Sequence, residues 1–174
     1  NEKETEKNSE TMEKPKEKLK ILVVDNHPLF TDFVREFLSE EGYTVRTAAS
    51  GLEAIDFMRG FVPDILLTDL VMPNISGYEL SRYVRTMKDL KDIYIVVVSG
   101  IAAESGGACI PPGIADACIA KRPFGEMGTY LLEVIEQYRR DGYTERTETV
   151  IGLEGLAPRR IIKELLFDRE HYAT

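Results

Sequence analysis

Two textures alternate along this chain. Short apolar runs rich in β-branched residues end abruptly on polar groups, and between them apolar residues recur every three or four positions. The first run, "KILVVD", has no polar face, which predicts a strand covered on both sides. In the following "PLFTDFVREFLSEEG", Phe30, Phe33, Val34, Phe37 and Leu38 fall at i, i+3, i+4, i+7 and i+8. That spacing predicts one helical stripe, with Pro28 in its first turn and Gly42 closing its end. "YTVRTA" reads as a second strand and "SGLEAIDFMRG" as a short helix, with Ser50 as N-cap and Gly60 as stop.

The pattern then repeats. "DILLTD" predicts a third strand, and "GYELSRYVRTM" predicts a helix with Leu80, Tyr83, Val84 and Met87 on one face. "IYIVVVSG" is the most strand-like run, and "ACIAK" is a short fifth strand. "GTYLLEVIEQYRR" is a helix through Leu131, Val134, Ile135 and Tyr138. Strands alternating with helices argue for parallel pairing through right-handed crossovers, hence a five-stranded, doubly wound α/β sheet. The rhythm breaks between Ser99 and Cys118, where a fourth helix is due. Gly106-Gly107 and Pro111-Pro112 predict that it is short, distorted or replaced by a loop.

The ends have a different character. Residues 1–19 hold almost nothing to bury and read as a disordered lead-in to a domain at 20–140. Residues 141–157 read as a polar connector. "APRRIIKELLFDREHY" then predicts a C-terminal helix opened by Pro158, with Ile161, Ile162, Leu165 and Leu166 on one side. The extension 141–174 is too short for a winged-helix output domain, and its expected role is packing on its own domain or on a second copy.

Charge narrows the partners. Six Lys balance six Glu in residues 1–20, and seven basic groups balance seven acidic ones in 139–174, so the net charge of −8 lies between them. A compact acidic block suits a phosphate backbone poorly, which argues against nucleic-acid binding by this chain. No apolar run approaches membrane-spanning length, and the Arg159-Arg160 pair before the tail stripe is offset by acids, so no membrane contact is expected. Cys109 and Cys118 lack a metal-ligand pattern and are too few for a disulfide framework. Reduced thiols and a cytoplasmic location are the simplest expectation.

The polar residues that end the strands carry the chemistry. They are Asp25 and Asn26, then Asp69, Ser99 and Lys121, and in an open parallel sheet all five should meet at the carboxyl rim. Two carboxylates from neighbouring strands suit Mg²⁺, which joins carboxylates to phosphate. Lys121 can neutralise phosphoryl oxygens, and the Ser99 hydroxyl can bond them. A carboxylate flanked by two cations is arranged to attack phosphorus and form an acyl phosphate. An Asp at a strand end also serves as a helix N-cap or turn former, and Ser99 before Gly100 also suits a plain turn. His27, in "NHP", reads as an exposed loop residue and not a ligand.

Together, "ILVVDN", "ILLTDLVMPNISGYEL", "IVVVSG" and "AKRPF" resemble the receiver domain of bacterial two-component response regulators, in one register over about residues 20–140. The resemblance implies a flavodoxin-like receiver fold and a phosphorelay role. Asp69 would be the phosphoacceptor, receiving its phosphoryl group from a sensor histidine kinase or phosphotransfer protein. Asp25, Asn26, Asp69 and the carbonyl of Val71 would form the Mg²⁺ pocket. Ser99 would be the switch hydroxyl and Lys121 the family's lysine. The protein would be a signalling phosphoprotein, not a turnover enzyme.

Three positions depart from the family pattern. Asn26 stands where a second acid is usual, which removes one negative charge from the pocket. Cys118 stands where an aromatic switch residue is usual. Arg122 separates Lys121 from Pro123. With the broken fourth helix, which alters the family's common output and dimer face, these support an alternative: a receiver-like interaction module that works without phosphorylation. A homodimer through that face or the C-terminal helix is a further expectation. A haloacid-dehalogenase-type phosphatase would need an acid where Val71 stands, and that class is set aside.

Overall fold

The computed structural model describes residues 18–100, 114–141 and 149–151. All five predicted strands form: β1 (Lys20–Val24), β2 (Thr44–Ala48), β3 (Ile65–Thr68), β4 (Tyr94–Ser99) and β5 (Ala117–Ala120). Between and after them lie α1 (Pro28–Glu40), α2 (Gly51–Phe57), α3 (Gly77–Thr86) and α4 (Phe124–Asp141). A sixth strand, β6 (Thr149–Ile151), forms inside the stretch that reads as a polar connector. Its three residues, Thr-Val-Ile, are all β-branched and suit a pleated edge, and the polar residues around them hide so short a run.

Every pairing is parallel, in the order β2-β1-β3-β4-β5-β6. The chain runs outward from β1 to β2 and then returns to place β3 on the other side of β1. The order therefore reverses between β1 and β3, and at such a reversal the crossovers diverge and leave a crevice at the carboxyl ends.

The strands' alternation assigns two cores. Ile21, Val23, Ile65, Leu67, Val96 and Val98 face α1 and α4, where Phe30, Val34, Leu38, Met127, Leu131, Val134 and Ile135 meet them. Leu22, Val24, Leu66 and Ile95 face the other way, against Ala54 of α2 and Leu80 and Val84 of α3. A sheet covered on both faces explains why its strands read as unbroken apolar runs.

The predicted caps form. Ser50 accepts from Glu53 N, and Gly42 takes the left-handed conformation, φ +93°, that ends α1. The α3 stripe is narrower than its spacing predicts. Leu80 and Val84 are buried, but Tyr83 and Met87 lie exposed, and the helix buries Gly77 and Ser81 instead. Small residues bring α3 close to the sheet, and the flanking large side chains stay outside. Arg85 bolts this helix to the far strands: its guanidinium is 2.7 Å from Asp116 Oδ2 and donates to the carbonyls of Lys91, Ile93 and Ile114. Asp116 Oδ2 also accepts from Ile95 N of β4, at 2.8 Å.

Two expectations need correction. Leu19, placed in the lead-in, packs against the α1/α4 core, and its carbonyl accepts from Thr44 N at 2.9 Å. Reduced thiols are overturned at Cys118, which is disulfide-bonded. Two cysteines are too few for a framework but enough for one bridge. The expected fourth helix and C-terminal helix fall mostly or wholly outside the described residues.

Candidate functional site

Each strand that borders the crevice extends its ladder by one residue. Asp25 N donates to Ala48 O at 3.1 Å, Asp69 N to Val24 O at 2.9 Å, and Lys121 N to Ser99 O at 3.0 Å. These main-chain bonds fix the point at which each side chain leaves the sheet. Three functional groups converge there. Lys121 Nζ lies 2.6 Å from Asp25 Oδ2 and 3.8 Å from Asp69 Oδ2. The ammonium also sits over the Phe30 ring, 4.3 Å from its centroid, so α1 supplies an apolar wall and a cation–π contact. Lys121 is thus the residue of this loop whose side chain meets both carboxylates; the next amide, Arg122 N, donates to Met127 Sδ at 3.3 Å.

The loop after β3 brings α3 in against the aspartate. Asn74 adopts φ 66°, and Ser76 and Glu79 form a reciprocal capping box at the start of α3. A Cβ on Gly77 would lie 1.9 Å from the Asp69 carbonyl oxygen. Only glycine lets α3 begin this close to the aspartate, and Gly77 N donates to Leu70 O at 2.8 Å.

Burial holds the Asp69 carboxyl above the usual aspartate value. The Lys121 charge and the amides of Leu70 and Val71 pull it back down, and Asp25 pushes it up. The lysine's closer partner is Asp25, so Asp69 is only partly compensated. Its Oδ1 accepts from Leu70 N at 2.8 Å, and Oδ2 faces the ammonium.

The remaining predicted residues divide. Ser99 ends β4, nearly inaccessible at 1% exposure, and meets Lys121 through the main chain. Asn26 is exposed beside Asp25. Val71 is also exposed, and its amide serves Asp69. His27 was missed. Its ring is exposed, yet Nδ1 lies 2.9 Å from Asp25 Oδ1, which also accepts from His27 N at 2.9 Å. The signal was the i, i+2 spacing of Asp25 and His27, too common in loops to stand out.

One ligand atom each from Asp25, His27 and Asp69 lies within 4.8 Å of the others. Two carboxylates converging at this spacing fit a hard divalent cation such as Mg²⁺. Beside them a groove of about 460 Å³ is lined by His27, Pro28, Leu29, Phe30, Lys121 and Phe124. Leu29 is 77% exposed and Phe124 44%, so the rim offers an apolar surface next to the acids.

Residues 21–124 match the family described as the response regulator receiver domain, more than half the chain. The chain belongs to that family. This receiver is 29% identical over 101 residues to the polar-differentiation response regulator DivK of Brucella ovis, covering 58% of the chain and 82% of DivK. It is 34% identical, again over 101 residues, to a part of the sensor histidine kinase RcsC of Salmonella typhimurium, covering 58% of the chain and 10% of that protein. Among solved structures, TrrA of Thermotoga maritima in complex with Mg²⁺ and BeF superposes with a TM-score of 0.55 at 30% identity, covering 68% of this chain and 97% of TrrA. CheY4 of Vibrio cholerae superposes at 0.56 and 25%, covering 68% and 98%. Receivers of this family are signalling modules of two-component systems. No helix among the described residues is long and apolar enough to cross a membrane.

Proposed function

We propose that this receiver accepts a phosphoryl group on Asp69 from a sensor histidine kinase or phosphotransfer protein, with Mg²⁺, and that the new charge switches a partner-binding face. The observation that carries the reading is the position of Lys121, whose ammonium spans Asp25 and Asp69 at 2.6 and 3.8 Å. A carboxylate oxygen of Asp69 attacks phosphorus, the P–O bond forms as the donor P–N bond breaks, and the donor imidazole leaves with the electron pair and takes up a proton. Lys121 can turn from Asp25 toward the transferred group and compensate its charge. Asp25, Asp69, Asn26 and the Val71 carbonyl are the groups that would hold Mg²⁺, which when bound neutralises phosphoryl oxygens. Ser99 would donate its hydroxyl to the same oxygens.

The apolar rim of Leu29 and Phe124 beside the acids supports docking of a histidine-bearing helix. A cytoplasmic location, which rests on the family and not on thiol state, and self-association through the face of the fourth-helix segment and α4 or through the C-terminal helix belong to the same proposal. Light scattering of the full chain tests the latter.

Asn26 and Cys118 favour a second reading, binding of partners without phosphorylation. Incubation with Mg²⁺ and acetyl phosphate followed by intact mass separates the two. One phosphoryl adduct, lost in Asp69→Ala, supports phosphotransfer. No adduct at any Mg²⁺ concentration supports the second reading, and labelling recovered in Asn26→Asp would trace the loss to the missing charge.

A further inference from the structure

Asn26 takes a charge out of the pocket, and His27 turns a nitrogen toward it. His27 occupies the N-cap position of α1 but makes no side-chain cap; its ring folds back instead, and Nδ1 lies 2.9 Å from Asp25 Oδ1. An octahedral shell with arms of about 2.1 Å puts neighbouring ligand atoms roughly 3 Å apart. The Asp25–His27 separation matches one edge of such a shell, and Asp69 offers a third atom within 4.8 Å. The ring is 66% exposed, so Nδ1 can exchange its carboxylate partner for an ion without disturbing the core.

The donor set changes which ion is preferred. Carboxylate, carbonyl and water oxygens hold Mg²⁺ and Mn²⁺ alike, but an imidazole nitrogen adds affinity for first-row transition ions, of which Mn²⁺ is the weakest binder, and does little for Mg²⁺. We infer that His27 Nδ1 is a third protein ligand, with Asp25 and Asp69, and that it shifts the pocket's preference from Mg²⁺ toward a divalent transition ion, for which Mn²⁺ is the probe. This rests on the metal pocket of the proposed function but assigns it a ligand and a selectivity of its own.

The test is calorimetric titration of the full chain with Mn²⁺ and with Mg²⁺, for wild type, His27→Ala, His27→Gln and Asp69→Ala. Electron spin-echo spectra of the Mn²⁺-loaded proteins accompany it. The wild-type preference for Mn²⁺ over Mg²⁺ is expected to fall about tenfold or more in both His27 variants. Modulation from a ligating ¹⁴N is expected in wild type and absent from His27→Ala. An unchanged preference, no ¹⁴N modulation in wild type, or no Mn²⁺ binding at all overturns the inference, and the Asp25–His27 contact is then a hydrogen bond only. The two readings fail separately. Loss of both ions in Asp69→Ala with no effect of His27 leaves the pocket intact without its nitrogen ligand. A selectivity change at His27 without any acetyl phosphate adduct leaves a metal site that does not serve phosphotransfer.

Discussion

Lys121 Nζ is closer to Asp25 than to Asp69, at 2.6 against 3.8 Å. The cation is thus held chiefly by Asp25, and under the proposed transfer a phosphoryl group on Asp69 would draw it across the pocket. Lys121→Met removes a charge-assisted hydrogen bond from an Asp25 side chain that is 1% exposed. The expected cost is about 2 kcal/mol of stability, read by urea unfolding. Acetyl phosphate labelling should also slow; full labelling at the wild-type rate would show that the lysine has no part in transfer.

Asp69 makes stability depend on pH in a definite direction. Its folded value is raised above 3.8, chiefly by burial. Folding therefore favours the protonated form, and that contribution is fully present below the unfolded value and is lost as pH rises through the folded one. Without added metal, Asp69→Asn should unfold at a higher urea concentration than wild type at neutral pH, and the gap should close below pH 3.8. A gap that widens on acidification would reverse the sign.

Gly77→Ala tests the close approach of α3. The added Cβ, 1.9 Å from the Asp69 carbonyl oxygen, has to displace backbone and not a flexible side chain. A loss of about 3 kcal/mol is expected, and, under the proposed transfer, weaker labelling because the Asp69 side chain shifts with its carbonyl. Wild-type stability would mean that the loop yields freely.

The Arg85–Asp116 pair predicts a larger effect far from the pocket. Both side chains are under 10% exposed, and Asp116→Ala leaves the guanidinium without its carboxylate in the interior. A cost of about 3–5 kcal/mol is expected, and Arg85→Ala should cost a similar amount. If either change is neutral in urea unfolding, the pair is not what joins α3 to β4 and β5.

The doubly wound sheet was legible because covered parallel strands have no polar face to blur the signal: "KILVVD", "DILLTD" and "IYIVVVSG" announce both their extent and the rim on which they end. Asp25, Asp69 and Lys121 were legible for the same reason, since a strand fixes the side chain that follows it. His27 was not, because its ring orientation comes from the loop's own dihedral angles, which no periodicity encodes. Nor was the Lys121–Phe30 contact, which joins a strand end to a helix face across ninety-one positions of sequence. Tyr83 and Met87 follow the helical period but lie outside the core, since the period says which residues share a side and not how wide a side the sheet covers.

Strand β6 moves the boundary of the sheet. Without it, the donors and acceptors along the outer margin of β5 would be open to a strand from a neighbouring molecule. Here Ala117, Cys118 and Ile119 already run beside Thr149, Val150 and Ile151 of the same polypeptide. A visitor seeking to lengthen the sheet on this flank meets β6 instead, and an edge of three residues offers little length to pair with.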